Sequence, residues 1–206
     1  NAIATWIREQ SSGPTSRLTQ ASRLTATGLW GQALNLFAPA AVAAVPFETS
    51  DVALNAAGRG AAVWVRATGS APADQMVQGA IFNGATWSTA VNLMPASAAN
   101  SRSPRVDVDG DGNAVAAWVQ AVDGLTVVRA ARYQVGAAWS APVTISVSDE
   151  NVLEGVTLGV DDTGNAVAVW TATAGGVPTL RAAQFDEVTG TWSGAVSVGA
   201  AGRSPS

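Results

Sequence analysis

The sequence predicts an all-β chain in four repeats of about fifty residues, each forming a four-stranded antiparallel sheet. Three observations carry that expectation: evenly spaced tryptophan pairs, period-two alternation beside them, and a recurring Asx-x-x-Gly turn. The eight tryptophans fall at 6, 30, 64, 87, 118, 139, 170 and 192. Taken as pairs they are 24, 23, 21 and 22 residues apart, and the first members of successive pairs are 58, 54 and 52 apart. A regular spacing of this kind marks a repeat architecture, in which each unit buries its apolar face against the next.

The strand carrying the first tryptophan reads NAIATW (1–6), GAAVW (60–64), NAVAAW (113–118) and NAVAVW (165–170). One face presents Ala114, Ala116 and Trp118, the other Val115 and Val119, so both faces are apolar and the strand is expected to be buried on both sides. The small alanines leave room for a second sheet to approach closely. After the second tryptophan come WGQALNL, WSTAVNL, WSAPVTI and WSGAVSV. Apolar residues there flank one polar residue (Asn35, Asn92, Thr144, Ser197), the pattern of a half-exposed strand. A third strand lies between the tryptophans at 17–24, 76–82, 127–133 and 180–185, and a fourth precedes the first tryptophan strand at 52–55, 106–109 and 158–161.

Four-stranded sheets repeated around an axis form a β-propeller, whose radial packing hides sheet edges. The expected fold class is therefore all-β, β-propeller-type, each repeat being one four-stranded antiparallel blade. The chain reads as a single domain or propeller fragment, 1–206, with units at about 1–50, 51–104, 105–156 and 157–206. A β-sandwich is the competing arrangement, and eight tryptophans in register argue against it.

The stretch VDVDGDGNAVAAW (106–118) places Asp107, Asp109 and Asp111 at alternate positions before Gly112, as many calcium loops begin. Aligned on the tryptophans, Asp109 to Gly112 matches Asn55 to Gly58 and Asp161 to Gly164. What recurs is an Asx, two residues, and a Gly, which is turn chemistry: the Asx side chain caps its own turn and Gly takes positive φ. The extra acids do not recur, since Asp107 becomes Ala53 and Gly159, and Asp111 becomes Ala57 and Thr163. A turn is the expected role, with calcium at Asp107, Asp109 and Asp111 the alternative; no other cofactor is expected.

Composition excludes several classes. Net charge is −4 and all 11 basic residues are arginines, so no basic stripe exists to neutralise phosphates or an anionic membrane, and no nucleic-acid partner is expected. There is no Cys and no His, which removes thiolate chemistry, disulfides, structural zinc and the commonest general base. The most apolar window, 33–47, is shorter than the roughly 20 residues a membrane helix needs and carries Pro39 and Pro46, so no membrane span is expected. The chain shows no signal peptide and starts at Asn1 without Met, as a mature or cut piece of an exported bacterial protein would.

The run SPRVDVDGDGNAVAAWVQ, VVRAARY, AAWSAPVTIS resembles a blade of the sialidase-like, Asp-box class of bacterial β-propellers, and all four units share that look. The Asp-box of that class reads Ser-x-Asp-x-Gly-x-Thr-Trp. Here Gly84, Thr86 and Trp87 keep its end; Gly136 precedes Trp139 correctly but Ala138 replaces Thr; Thr191 and Trp192 fit with Gly190 one place late. The Ser and Asp are missing from every copy. The resemblance implies the architecture. Sialidase activity would need an arginine cluster, a Tyr–Glu pair and an acid/base. Tyr133, the only tyrosine, aligns with Leu24, Phe82 and Phe185, a packing position, and the five glutamates fall in expected loops.

Candidate binding positions remain. Gln20, Gln78, Arg129 and Arg181 share one register of the third strand, which reads as the solvated face of an outer strand or as the lining of a ligand groove. The tryptophans recur beside Ala and Val, as core residues do, although aromatic faces also stack on sugars. Phe37 and Phe47 bracket an apolar connection, FAPAAVAAVPF, expected to be a contact surface or a packed lid. Asn1 aligns with Asn113 and Ser206 with Arg105, so the four units lack one innermost strand. Another protein chain, or a further copy, is expected to complete the ring. The functional expectation is a non-catalytic, exported binding or scaffolding module, secreted or on a bacterial surface and part of an adhesion protein. The alternatives are part of a divergent sialidase-like glycoside hydrolase, or a carbohydrate-binding lectin with a glycan partner.

Overall fold

A computed structural model describes residues 2–10, 16–36, 49–67, 75–94 and 100–199. Those residues form strands and turns only, in four antiparallel sheets. The first sheet has three strands, β1 (Ala2–Gln10), β2 (Ser16–Leu24) and β3 (Leu34–Asn35). The second runs in chain order through β4 (Ser50–Leu54), β5 (Gly60–Ala67), β6 (Gln75–Phe82) and β7 (Val91–Asn92). The third repeats it with β8 (Ser101–Val108), β9 (Ala114–Val122), β10 (Leu125–Tyr133) and β11 (Val143–Thr144).

The fourth sheet keeps the same lanes but breaks both outer ones. Short β12 (Asn151–Val152) and β13 (Thr157–Val160) both pair with β14 (Ala166–Ala174). On the other side β16 (Thr191–Trp192) and β17 (Val196–Ser197) both pair with β15 (Val177–Asp186). The four-by-four expectation is thus corrected at the first sheet, where, among the described residues, no strand pairs with the second edge of β1. The β8 lane also starts five residues before the expected 106–109, because Ser101 and Arg102 resume pairing with β9 beyond a register shift between Arg102 and Arg105. Ser103 there has φ of +51°, the local twist that lets the strand step past Pro104.

The two-faced strands β5, β9 and β14 carry the core. Trp64, Trp118 and Trp170 are fully buried, flanked by Ala62, Ala116 and Ala168. One apolar cluster joins Ala21 and Leu36 of the first sheet to Trp64 and Trp87 of the second. The next joins Val63, Val77 and Leu93 to Trp118 and Trp139, and a third joins Val119, Val128 and Ile145 to Trp170 and Trp192. Each interface is therefore directional: the tryptophan face of one sheet rests on the opposite, aliphatic face of the sheet before it, which is Ala21 and Leu36 in the first sheet and valine-rich in the next two. No core cluster of the described residues joins the fourth sheet to the first.

The Asx-x-x-Gly turns hold one end of the stack. The Asp109 carboxylate accepts the backbone N–H of Asp111, Gly112 and Asn113 at 3.0, 2.8 and 2.8 Å, and Asn113 Nδ2 at 2.7 Å. Asp161 repeats this with Thr163 and Asn165, both at 2.9 Å, and Asn55 with Arg59 at 2.9 Å. Gly58, Gly112 and Gly164 have φ of +80°, +92° and +93°, which a side chain resists.

Candidate functional site

The strand edges of adjacent sheets leave a groove at each interface on the outer rim. One, of about 760 Å³, lies between the third and fourth sheets and is lined by Arg132, Ser140, Thr144, Phe185, Glu187 and Trp192 among others. The second, about 630 Å³, lies between the second and third sheets and exposes Asn83, Thr89, Asn92, Tyr133, Trp87 and Trp139. A shallower one of about 430 Å³ separates Leu34 and Asn35 from Thr86 and Trp87.

The second tryptophan of each unit sets the groove floor. Trp87, Trp139 and Trp192 bridge back to the end of the third strand, at Phe82, Tyr133 and Phe185. Each tryptophan meets that ring tilted, with centroids 5.2, 5.7 and 5.6 Å apart. Tyr133 thus has the packing role its alignment indicated. The serine after each tryptophan fixes the bridge. Ser88, Ser140 and Ser193 accept the backbone N–H of Ile81, Arg132 and Gln184 at 3.0 Å in each case. The Trp-Ser repeat was visible in the sequence, but its role needs the register to be read.

Arg132 lines the groove between the third and fourth sheets. Its guanidinium pairs with Glu187 and lies 5.3 Å from the centre of the Phe185 ring. Arg23 occupies the same register in the first sheet, donates to the Gly84 carbonyl at 2.8 Å and sits 5.4 Å over Phe82. These arginines staple one sheet to the next. Carboxylates do so on the inner strands: Asp51 accepts the Val106 N–H at 3.0 Å, and Asp107 accepts the Val160 N–H at 2.8 Å. Such contacts cover edge N–H groups that another chain would otherwise find.

The register position shared by Gln20, Gln78, Arg129 and Arg181 lies directly across from the first tryptophans: Trp6, Trp64, Trp118 and Trp170. Residues opposite one another share a face. The position therefore follows the tryptophan inward, and the expectation of a solvated face is corrected, with Gln20 and Gln78 buried. In the first two sheets it forms a relay. Trp6 Nε1 donates to Gln20, whose amide donates to Asn35 at 2.8 Å; Trp64 donates to Gln78, which donates to Asn92 at 2.7 Å. In the last two sheets arginine replaces glutamine. Arg129 donates to Thr144 and the Pro142 carbonyl, and Arg181 to Ser197 and Glu150. An arginine cannot accept, and the buried indole nitrogens of Trp118 and Trp170 have no acceptor. Burial lowers the Arg129 pKa, whereas the hydrogen bond to Glu150 raises that of Arg181.

Of the other sequence candidates, Asp109 is buried in its turn, Asp107 staples the fourth sheet, and Asp111 is exposed. Asp109 accepts three backbone N–H groups of its turn and the Asn113 side-chain amide, and Asp107 accepts the N–H groups of Val108 and Val160. No group of three or more acidic residues able to hold a metal occurs among the described residues. Phe37 and Phe47 lie outside the described residues. No helix of the described residues is long and apolar enough to cross a membrane.

No family model matches the chain, and no curated protein matches it. Among solved structures, a protein of unknown function from Dyadobacter fermentans DSM 18053 superposes with a TM-score of 0.51 at 11% identity, over 91% of this chain and 60% of that one. The chain thus spans less than two thirds of that protein. A puromycin hydrolase superposes with a TM-score of 0.49 at 16% identity, over 93% of this chain and 30% of that one. An endo-arabinase from Bacteroides thetaiotaomicron VPI-5482 gives 0.45 at 12% identity, over 95% and 80%. The likeness to the Dyadobacter protein concerns the fold alone.

Proposed function

We propose that the chain is a propeller-type, non-catalytic binding and scaffolding module of an exported bacterial protein, and that its rim grooves take a neutral glycan. The observation that carries this reading is the repetition of one groove at successive interfaces, each with a half-buried tryptophan beside hydroxyl and amide groups. An aromatic face with a few placed polar groups is how compact binding sites combine apolar area with orientation. The propeller reading is supported by the three directional interfaces, which repeat the same contact of a tryptophan face on an aliphatic face. The non-catalytic reading is supported by the state of the groove carboxylate: Glu187 is paired with Arg132 rather than set opposite a second acid.

The test is titration of the chain with soluble neutral oligosaccharides, followed by the indole N–H signals in NMR. The expected result is movement of the Trp87 and Trp139 signals, abolished by Thr89→Trp, which plugs that groove from an exposed position. Signals that stay still throughout would overturn the glycan assignment, and release of shortened products would overturn the non-catalytic one.

A further inference from the structure

The two ends of the stack are complementary halves of one interface. The fourth sheet presents the aliphatic face that, in the first three sheets, receives the tryptophans of the next. Its Val198 is 44% exposed, whereas the aligned Leu36, Leu93 and Ile145 are 6%, 2% and 4% exposed. Its Leu180 is 42% exposed, whereas the aligned Val77 and Val128 are both at 0%. Its Val167 is 42% exposed, whereas the aligned Val115 is 3% exposed. The first sheet presents the other half. Trp30 is 53% exposed there, and with Ala4, Trp6, Ser22 and Ala33 it lines an open cavity of about 380 Å³. The aligned residues of the second sheet, Ala62, Trp64, Ala80, Trp87 and Ala90, all belong to the cluster packed on the first.

We propose that a second copy of this chain covers each of these faces, the first sheet of one copy stacking on the fourth sheet of the next. The occupant follows from the chain itself. Three internal interfaces show what this aliphatic face accepts, namely a sheet with tryptophans at these registers. The first sheet is such a sheet with that face uncovered. Because the two halves differ, the contact is head-to-tail; it closes into a ring where the rotation per sheet permits and extends as a chain otherwise. Exposed apolar faces of this kind mark contact surfaces in soluble proteins. The inference is independent of what the rim grooves bind.

The experiment is light scattering on a sizing column over a range of loading concentrations. The expected mass is at least twice 20.7 kDa. Trp30→Ser at one end, or Leu180→Asp at the other, is expected to weaken association by roughly tenfold to a hundredfold, as loss of a central apolar anchor does. Mixing the two variants is expected to restore a dimer, because each supplies the half the other lacks. A monomer at every concentration overturns the proposal. So does an oligomer that survives both substitutions, or one that mixing fails to restore. If either variant fails to fold, hydrogen exchange on the unmodified chain decides: amides of β15 and β17 gain protection with concentration, and their indifference overturns the proposal.

Discussion

Arg181 grips both carboxylate oxygens of Glu150, while Arg129, at the same register of the preceding sheet, has no acid in hydrogen-bond contact. Both stand across from a buried tryptophan whose indole nitrogen has no acceptor. The same substitution is therefore expected to act in opposite directions at the two sites.

Arg129→Gln recreates the relay of the first two sheets, since a glutamine oxygen there can accept from Trp118 as Gln78 does from Trp64. Supplying a partner to a buried donor contributes about 1 kcal/mol. The expected outcome is a chain as stable as the original or slightly more so. Arg181→Gln instead strands the buried carboxylate of Glu150 and lowers stability. Urea unfolding of the two variants, read side by side, checks the sign of each change.

Trp118→Ala opens a cavity between the second and third sheets and is expected to cost about 3–5 kcal/mol. Trp30→Ala removes an exposed ring and is expected to change the stability of the dilute chain by no more than about 0.5 kcal/mol. Thermal melts of both variants at low concentration measure the contrast.

Asp109→Ala leaves the N–H groups of Asp111, Gly112 and Asn113 without their acceptor, and is expected to cost about 2 kcal/mol or more. Asp111→Ala is expected to be neutral to within about 0.5 kcal/mol. Added calcium is expected to leave the melting temperature of the unmodified chain unchanged. A calcium-dependent rise lost in Asp111→Ala would favour the metal reading of this stretch over the turn.

Hydrogen bonds from Thr163 and Asn165 hold the Asp161 pKa down at about 2, below its ordinary 3.8. A carboxylate depressed in the folded state adds stability that is fully present above the unfolded value and is lost as pH falls through the folded one. Asp161→Asn is therefore expected to make stability less pH-dependent between about pH 4 and pH 2, with the loss relative to the original chain seen at neutral pH. Melting temperatures of both proteins across that window check it.

Much of the fold was legible because strand alternation has a period of two and the tryptophans fix the register. Ala114, Ala116 and Trp118 could be assigned to one face without coordinates. The Asx-x-x-Gly turns were legible because local side-chain caps need no tertiary information. The extension of β8 to Ser101 was not, since Pro104 and a register shift interrupt the alternation. Nor were the inter-sheet staples: the register that carries Arg23 and Arg132 carries Ile81 and Gln184 in the other units, so no repeat signal survives. The grooves escaped for a related reason. All eight tryptophans read as core, yet only three are fully buried: the second of each pair sits at a sheet edge where packing ends, and Trp6 lines the open cavity of the first sheet.

The central claim is the directional stacking of tryptophan faces on aliphatic faces, and oxidative footprinting of the tryptophans tests it most directly. In the Leu180→Asp background, where the ends are uncovered, Trp30 is expected to react first. Trp87, Trp139 and Trp192 should follow, with Trp64, Trp118 and Trp170 protected until the chain unfolds. Reaction of Trp118 or Trp170 at the rate of Trp30 would contradict the stacking outright.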